Sequence, residues 1–163
     1  MTISTPVLTV PFGHVEQLVI HFDDLDAMGL VHNARYPVLL ERALSPYWSA
    51  RGHSFAGGRA TSPDTFHAVR EFRITYLAPI RGTGAVAVHF WLESFGETSG
   101  EYRFRFLSPD GGTVHAEGRR VIVRLDPQTL RPAPWTEAGR AVAATLRRPP
   151  TALTPAGPAG SAG

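Results

Sequence analysis

Apolar residues recur at a period of two along four stretches between residues 66 and 125. Phe66 to Leu77 sets Phe66, Ala68, Phe72, Ile74 and Tyr76 on one parity, and Ala85 to Phe95 does the same with Val86, Val88, Phe90 and Leu92. Glu101 to Leu107 alternates Tyr102, Phe104 and Phe106 against Glu101, Arg103 and Arg105, and Val114 to Leu125 ends on Val121, Val123 and Leu125. That period predicts strands with one face on a core and one face wet, the habit of antiparallel sheet. Turn residues separate them at Pro79 to Gly82, Gly96 to Gly100 and Pro109 to Gly112. A looser alternation around Val15, Leu18, Ile20 and Phe22 predicts a first strand over 15–23.

Between the first strand and the other four the period changes. Tyr36, Leu40, Ala43, Leu44 and Tyr47 recur at helical spacing, which predicts a helix from Asn33 or Ala34 toward Gly52. Pro37 fits its first turn, where a missing N–H costs little. Pro46 predicts a kink or an early end. Residues 52–64 read as a loop, 126–134 as a turn segment, and 135–148 as a short second helix with Thr136 as its N-cap. One helix cannot cover both faces of a sheet, but one curved sheet can wrap a helix. The order therefore predicts an α+β fold, one long helix wrapped by a curved five-stranded antiparallel sheet, with an edge and a wet face left for association.

With 163 residues the chain suits one domain, expected over 15–148, between an extended lead-in (1–14) and a disordered Pro/Gly/Ala tail (149–163). It has no cysteine, which excludes disulfides, thiolate metal sites and cysteine nucleophiles. All 16 basic residues are arginine, so lysine Schiff-base chemistry and a P-loop lysine are excluded too. The net charge of +2 is small and the arginines are dispersed, which argues against a nucleic-acid partner. Tyr102-Arg-Phe-Arg-Phe106 reads as the wet face of a strand. No apolar run is long enough to span a bilayer and the first residues lack the pattern of a signal peptide, so the expected location is cytoplasmic, away from membranes.

The candidate chemistry lies at the strand-to-helix junction, His21 to Tyr36. It holds Asp23, Asp24 and Asp26, a flexible point at Gly29, then His32 and Asn33 at the helix start. A carboxylate there can act as base or nucleophile beside the free N–H groups of a helix N-terminus. His21, Asp23, Asp26 and His32 match no compact metal-ligand spacing, so no metal is expected. Glu41, on the helix, reads as a surface or ion-paired group.

The run Asp26-Ala-Met-Gly-Leu-Val-His-Asn-Ala-Arg-Tyr36, followed by Glu41-Arg-Ala43, resembles the 4-hydroxybenzoyl-CoA thioesterase branch of the hotdog fold. Phe72 to Pro79 and Asp126 to Pro132 resemble further segments of that family, so the likeness spans about residues 15–147. It implies an acyl-CoA thioesterase that uses no cofactor and assembles as a homodimer, with a dimer of dimers expected, and with active sites at the dimer interface. It assigns Asp26 as the catalytic carboxylate and the Asn33 N–H as the group polarising the thioester carbonyl. Met28, Gly29, His32 and Tyr36 are expected to contact substrate, and Thr98 and Ser99 to hydrogen-bond pantetheine. The hydratase pattern of other hotdog proteins is not matched. The turn Phe95 to Gly100 lacks the basic cluster some members use for the CoA nucleotide. An acyl-carrier-protein thioester is therefore the alternative substrate, and a non-catalytic acyl-binding protein the alternative class. Arg119, Arg120 and Arg147 are the other candidates for phosphate. Phe66, Trp48 and Trp91 are candidates to shape an acyl pocket.

Overall fold

A computed structural model describes residues 8–151. Residues 1–7 of the expected lead-in and 152–163 of the expected C-terminal tail lie outside the described residues. Seven strands and two α-helices follow one another as β1 (His14–Ile20), α1 (Tyr36–Ser49), β2 (Phe55–Ala56), β3 (Arg59–Ala60), β4 (His67–Tyr76), β5 (Gly84–Phe95), β6 (Ser99–Leu107), β7 (Val114–Arg124) and α2 (Glu137–Leu146). Five of them form one antiparallel sheet in the order β1-β5-β6-β7-β4. The predicted α+β architecture is the one observed.

Side-chain alternation decides the two faces. Val86, Val88, Phe90, Leu92, Tyr102, Phe104, Phe106, Ala116 and Ile122 are buried on the side of α1, which contributes Tyr36, Leu39, Leu40, Ala43, Leu44 and Tyr47. Each leucine so buried stabilises the fold by about 2–3 kcal/mol. The outer side carries Glu71, Arg73, Glu101, Arg103 and Arg119, joined by ion pairs of 2.6–2.8 Å (Arg119–Glu71, Arg73–Glu71, Arg103–Glu101). The arginines of β6 are thus the wet face that the alternation predicted.

Three local expectations are corrected. Pro46 does not end α1, which continues to Ser49. The N–H it lacks would have served one carbonyl in the last turns only, and the buried Ala43, Leu44 and Tyr47 hold that end on the sheet. The segment expected as a loop at 52–64 contains the hairpin β2–β3, turned by Gly57 and Gly58, both at positive φ. The first strand stops at Ile20, because His21–Asp24 close a 3-10 turn in which the Asp24 N–H donates to the His21 carbonyl. Thr136 caps α2 as expected, accepting from the Gly139 N–H, and is itself held by the buried Asp64.

Candidate active site

The junction loop is built from its own polar groups. Asp24 is 0% exposed and lies between two cations: Arg35 at 2.8 Å and Arg42 at 3.3 Å. It also accepts from the His21 N–H at 2.9 Å. Burial works against its ionisation, but the His21 N–H and the guanidinium groups of Arg35 and Arg42 prevail and hold its carboxyl below the usual range. Asp24 therefore fixes the loop to α1, while Asp23 is exposed.

Two residues on, Asp26 is half-buried and divides its carboxylate between two duties. Oδ1 accepts from the Met28 N–H at 2.8 Å and the Leu30 N–H at 3.1 Å. The Gly29 N–H donates to the Asp26 carbonyl at 3.0 Å, and Gly29 sits at φ +72°, the left-handed region that closes this tight loop. The Gly29 carbonyl accepts from the Gly82 N–H, and the Val31 N–H donates to the Ile80 carbonyl. The loop is thereby stitched to the turn that starts β5. No hydrogen bond engages Oδ2 among the described residues.

The helix start is a 3-10 turn, Asn33–Arg35, leading into α1. The N-cap of this turn is His32, whose Nδ1 accepts from the Ala34 N–H at 3.0 Å. The Asn33 N–H meets no acceptor among the described residues. The Asn33 carbonyl accepts from the Tyr76 hydroxyl at 3.3 Å, so β4 also holds this turn. Asp26, Met28, Leu30, Val31, Asn33 and Tyr36 line one cleft of about 410 Å³, with Tyr76 and Leu77 opposite. Tyr36 is buried there edge-on to Tyr76, ring centroids 5.1 Å apart; burial and then Tyr76 push its phenol upward, so it stays protonated. Met28, which lines the cleft, is 75% exposed, and Phe22, in the same junction, is 86% exposed.

The remaining candidates separate from this cleft. Thr98, in the turn, and Ser99, the first residue of β6, lie at the far end of β5, and its twelve strand residues span roughly 40 Å. Within one chain they do not reach Asp26. Arg119, Arg120 and Arg147 do not converge: Arg119 is bound to Glu71 on the outer side, Arg120 points inward, and Arg147 follows α2. Adjacent strand residues face opposite ways, which sequence proximity alone hides. Trp91 is buried on the outer side against Phe12, while Trp48 lines a cavity beside the C-terminal half of α1 and Phe66 an outer crevice. Tyr76 and Leu77 were missed as cleft residues; an apolar pair at the end of an edge strand was the available signal. Among the described residues no group of three His, Asp or Glu could hold a metal ion.

The sequence profile of the thioesterase-like superfamily matches residues 20–144, which includes the whole junction, α1 and the sheet from β4 to β7. The chain belongs to that superfamily. Among curated thioesterases, the Escherichia coli acyl-CoA thioester hydrolase YbgC is 26% identical over 113 residues, 69% of this chain and 82% of the relative. A Thermus thermophilus thioesterase solved in complex with coenzyme A and Zn shares 27% identity at a TM-score of 0.60, over 81% of this chain and 98% of the other. The PA5185 protein of Pseudomonas aeruginosa superposes with a TM-score of 0.72 at 21% identity, over 83% and 92% of the two chains. The hotdog architecture suggested by the junction motif is the architecture of this thioesterase.

Proposed function

We propose that this thioesterase hydrolyses acyl-CoA to the free acid and CoA, with Asp26 as nucleophile or general base. The observation that carries the reading is the cleft in which a half-held carboxylate and an unsatisfied N–H occur together. Oδ2 of Asp26 is available for chemistry because Oδ1 already holds the loop. The Asn33 N–H, at the positive end of α1, suits the oxygen of a polarised thioester carbonyl. Attack by Oδ2 on the carbonyl carbon forms an acyl anhydride and releases the thiolate, after which water cleaves the anhydride. In the alternative route, Oδ2 takes the proton of a water that attacks the same carbon. Met28 and Tyr36 line this cleft, and the same reading has Gly29 and His32 touch the substrate from the loop and the turn beside it.

The same reading has two copies pairing through the exposed edge of β4, which brings Thr98 and Ser99 of one chain toward the cleft of the other. The uncovered Met28, Phe22, Val69, Tyr76 and Leu77 support it, since such side chains are ordinarily covered. An acyl-carrier-protein thioester is the second reading: the residues of the turn 96–98 themselves include Glu97 and no cation, and the guanidinium beside them, that of Arg140, is held at the Glu97 carbonyl. Thiol release from short, long and aromatic acyl-CoAs, measured with the wild type and Asp26→Asn, is the test. Turnover lost in the variant supports the assignment. No turnover on any CoA ester, with turnover on acyl carrier protein, moves the substrate to the second reading.

A further inference from the structure

The backbone groups at the start of α1 each have a definite partner, with one exception. The His32 N–H donates to the Asp24 carbonyl at 2.9 Å, and the side chain of Asp24 is tied to Arg35 and Arg42. The His32 carbonyl accepts from the Arg35 N–H at 2.9 Å. The Ala34 N–H donates to the His32 ring at 3.0 Å, and the Asn33 carbonyl accepts from the Tyr76 hydroxyl at 3.3 Å. The exception is the Asn33 N–H, which has no acceptor among the described residues. The peptide groups on both sides of it are held, and the N–H itself is left open at the cleft that Asp26, Asn33 and Tyr76 line.

Two of these ties come from side chains. In an α-helix the Asn33 carbonyl would take the N–H of residue 37. That residue is Pro37, in the first turn of α1, and it has no N–H to give. The Tyr76 hydroxyl reaches the same oxygen from the end of β4, 43 residues away in sequence. Its ring is braced edge-on against the buried Tyr36, centroids 5.1 Å apart, which sets the direction from which the hydroxyl arrives. His32 grips the other end of the same peptide group, because its ring takes an N–H that a helix start leaves without a partner. The Asn33–Ala34 peptide is thus clamped at its C=O by Tyr76 and at its N–H by His32.

A donor that stabilises a developing oxyanion is most effective when it is already aimed, since nothing then has to reorganise as the charge appears. A single amide in an exposed turn has no such aim of its own. We propose that Tyr76, with His32, is a positioning residue for the hydrolysis proposed above, on which this assignment rests. The two hold the Asn33 peptide so that its N–H stays directed at the thioester oxygen. In this role Tyr76 moves no proton and bonds to no reacting atom. It fixes, from the sheet, the orientation of a donor that belongs to the helix. That orientation matters most when the carbonyl oxygen carries its full charge, so its loss falls on kcat and leaves KM nearly unchanged.

Tyr76→Phe removes the hydroxyl and keeps the ring against Tyr36. Two measurements are made on the full chain. The first is kcat and KM on the thioester that the wild type turns over fastest. Removing a whole oxyanion donor costs about a hundredfold or more, and loosening one of its ties should cost less: a kcat about tenfold lower, with KM within about twofold. The second is NMR relaxation of the Asn33 amide, where an order parameter of about 0.85 marks a rigid backbone and one below about 0.6 a flexible one. Expected is a rigid value in the wild type and a fall in Tyr76→Phe. His32→Leu should lower kcat and the order parameter as well. His32→Asn, whose amide oxygen can still accept from the Ala34 N–H, should lower them less. An unchanged kcat with an unchanged order parameter in Tyr76→Phe overturns the assignment. A loss that falls on KM alone also overturns it, since Tyr76 would then be a substrate contact. A fall in the order parameter in a protein that cleaves no thioester upholds the clamp and sinks the hydrolase reading instead.

Discussion

At the scale of the residue, the division of labour within Asp26 makes a clean experiment possible. In Asp26→Asn the amide oxygen can still accept from the Met28 and Leu30 N–H groups, so the loop keeps its shape while the charge is lost. We expect kcat to fall by about a hundredfold or more with an unchanged melting curve, since positioned acid–base groups contribute that much. Gly29 makes the opposite case. An added Cβ meets nothing within 4 Å, so the cost of Gly29→Ala is the left-handed backbone alone. That is about 1 kcal/mol, a fall of a few degrees in Tm by scanning calorimetry. The sequence displayed both residues but not the partition of the carboxylate oxygens. That partition depends on where the chain goes between Met28 and Leu30, which composition does not encode.

At the scale of the element, the loop and α1 are joined through Asp24. Its folded-state pKa lies below its unfolded value, so its contribution is complete above the ordinary carboxylate range and is lost as pH falls through the folded value. Asp24→Asn leaves Arg35 and Arg42 facing a neutral amide, a loss of about 3 kcal/mol near neutrality. Urea denaturation of wild type and variant should show that gap narrowing below about pH 4. A gap that stays constant with pH would remove Asp24 from this role. The elements themselves were largely legible: the 3.6 period of Tyr36 to Tyr47 and the alternation of Phe104 and Phe106 located α1 and β6 directly. Boundaries were not. Pro46 promised a break that packing overrode, and Gly57-Gly58 announced a hairpin that the surrounding polar residues disguised. The cap at His32 was hidden because histidine is an uncommon N-cap, chosen here by the Ala34 N–H within reach of its ring.

At the scale of the whole molecule, strand order was the largest thing that periodicity could not supply. Alternation says which face a residue takes, not which neighbour its strand has. The order β1-β5-β6-β7-β4 leaves β4, the second long strand in sequence, at an edge with Val69 and Tyr76 uncovered. If that edge joins two copies, Val69→Arg should yield a folded monomer, seen by light scattering with an unchanged circular dichroism spectrum. Its activity should fall with dimer content, because Thr98 and Ser99 would then lack a partner's cleft to serve. A variant that stays dimeric would shift the interface elsewhere. The superfamily assignment is likewise a property of the whole chain. The junction motif suggested it, and the match over 20–144 establishes it across the junction, α1 and the strands β4 to β7.

The unsatisfied Asn33 amide also carries a clock. An N–H with no protein acceptor, at an exposed turn, trades its hydrogen for deuterium almost as fast as an unstructured peptide, whereas amides bonded within the sheet wait for local opening. A carbonyl oxygen seated on it would slow that one proton and leave neighbouring loop amides nearly unchanged. Occupancy of the cleft can therefore be timed from a single exchange rate, with a thioester analogue that is never cleaved. A rate that does not move on binding would place the carbonyl somewhere other than the start of α1.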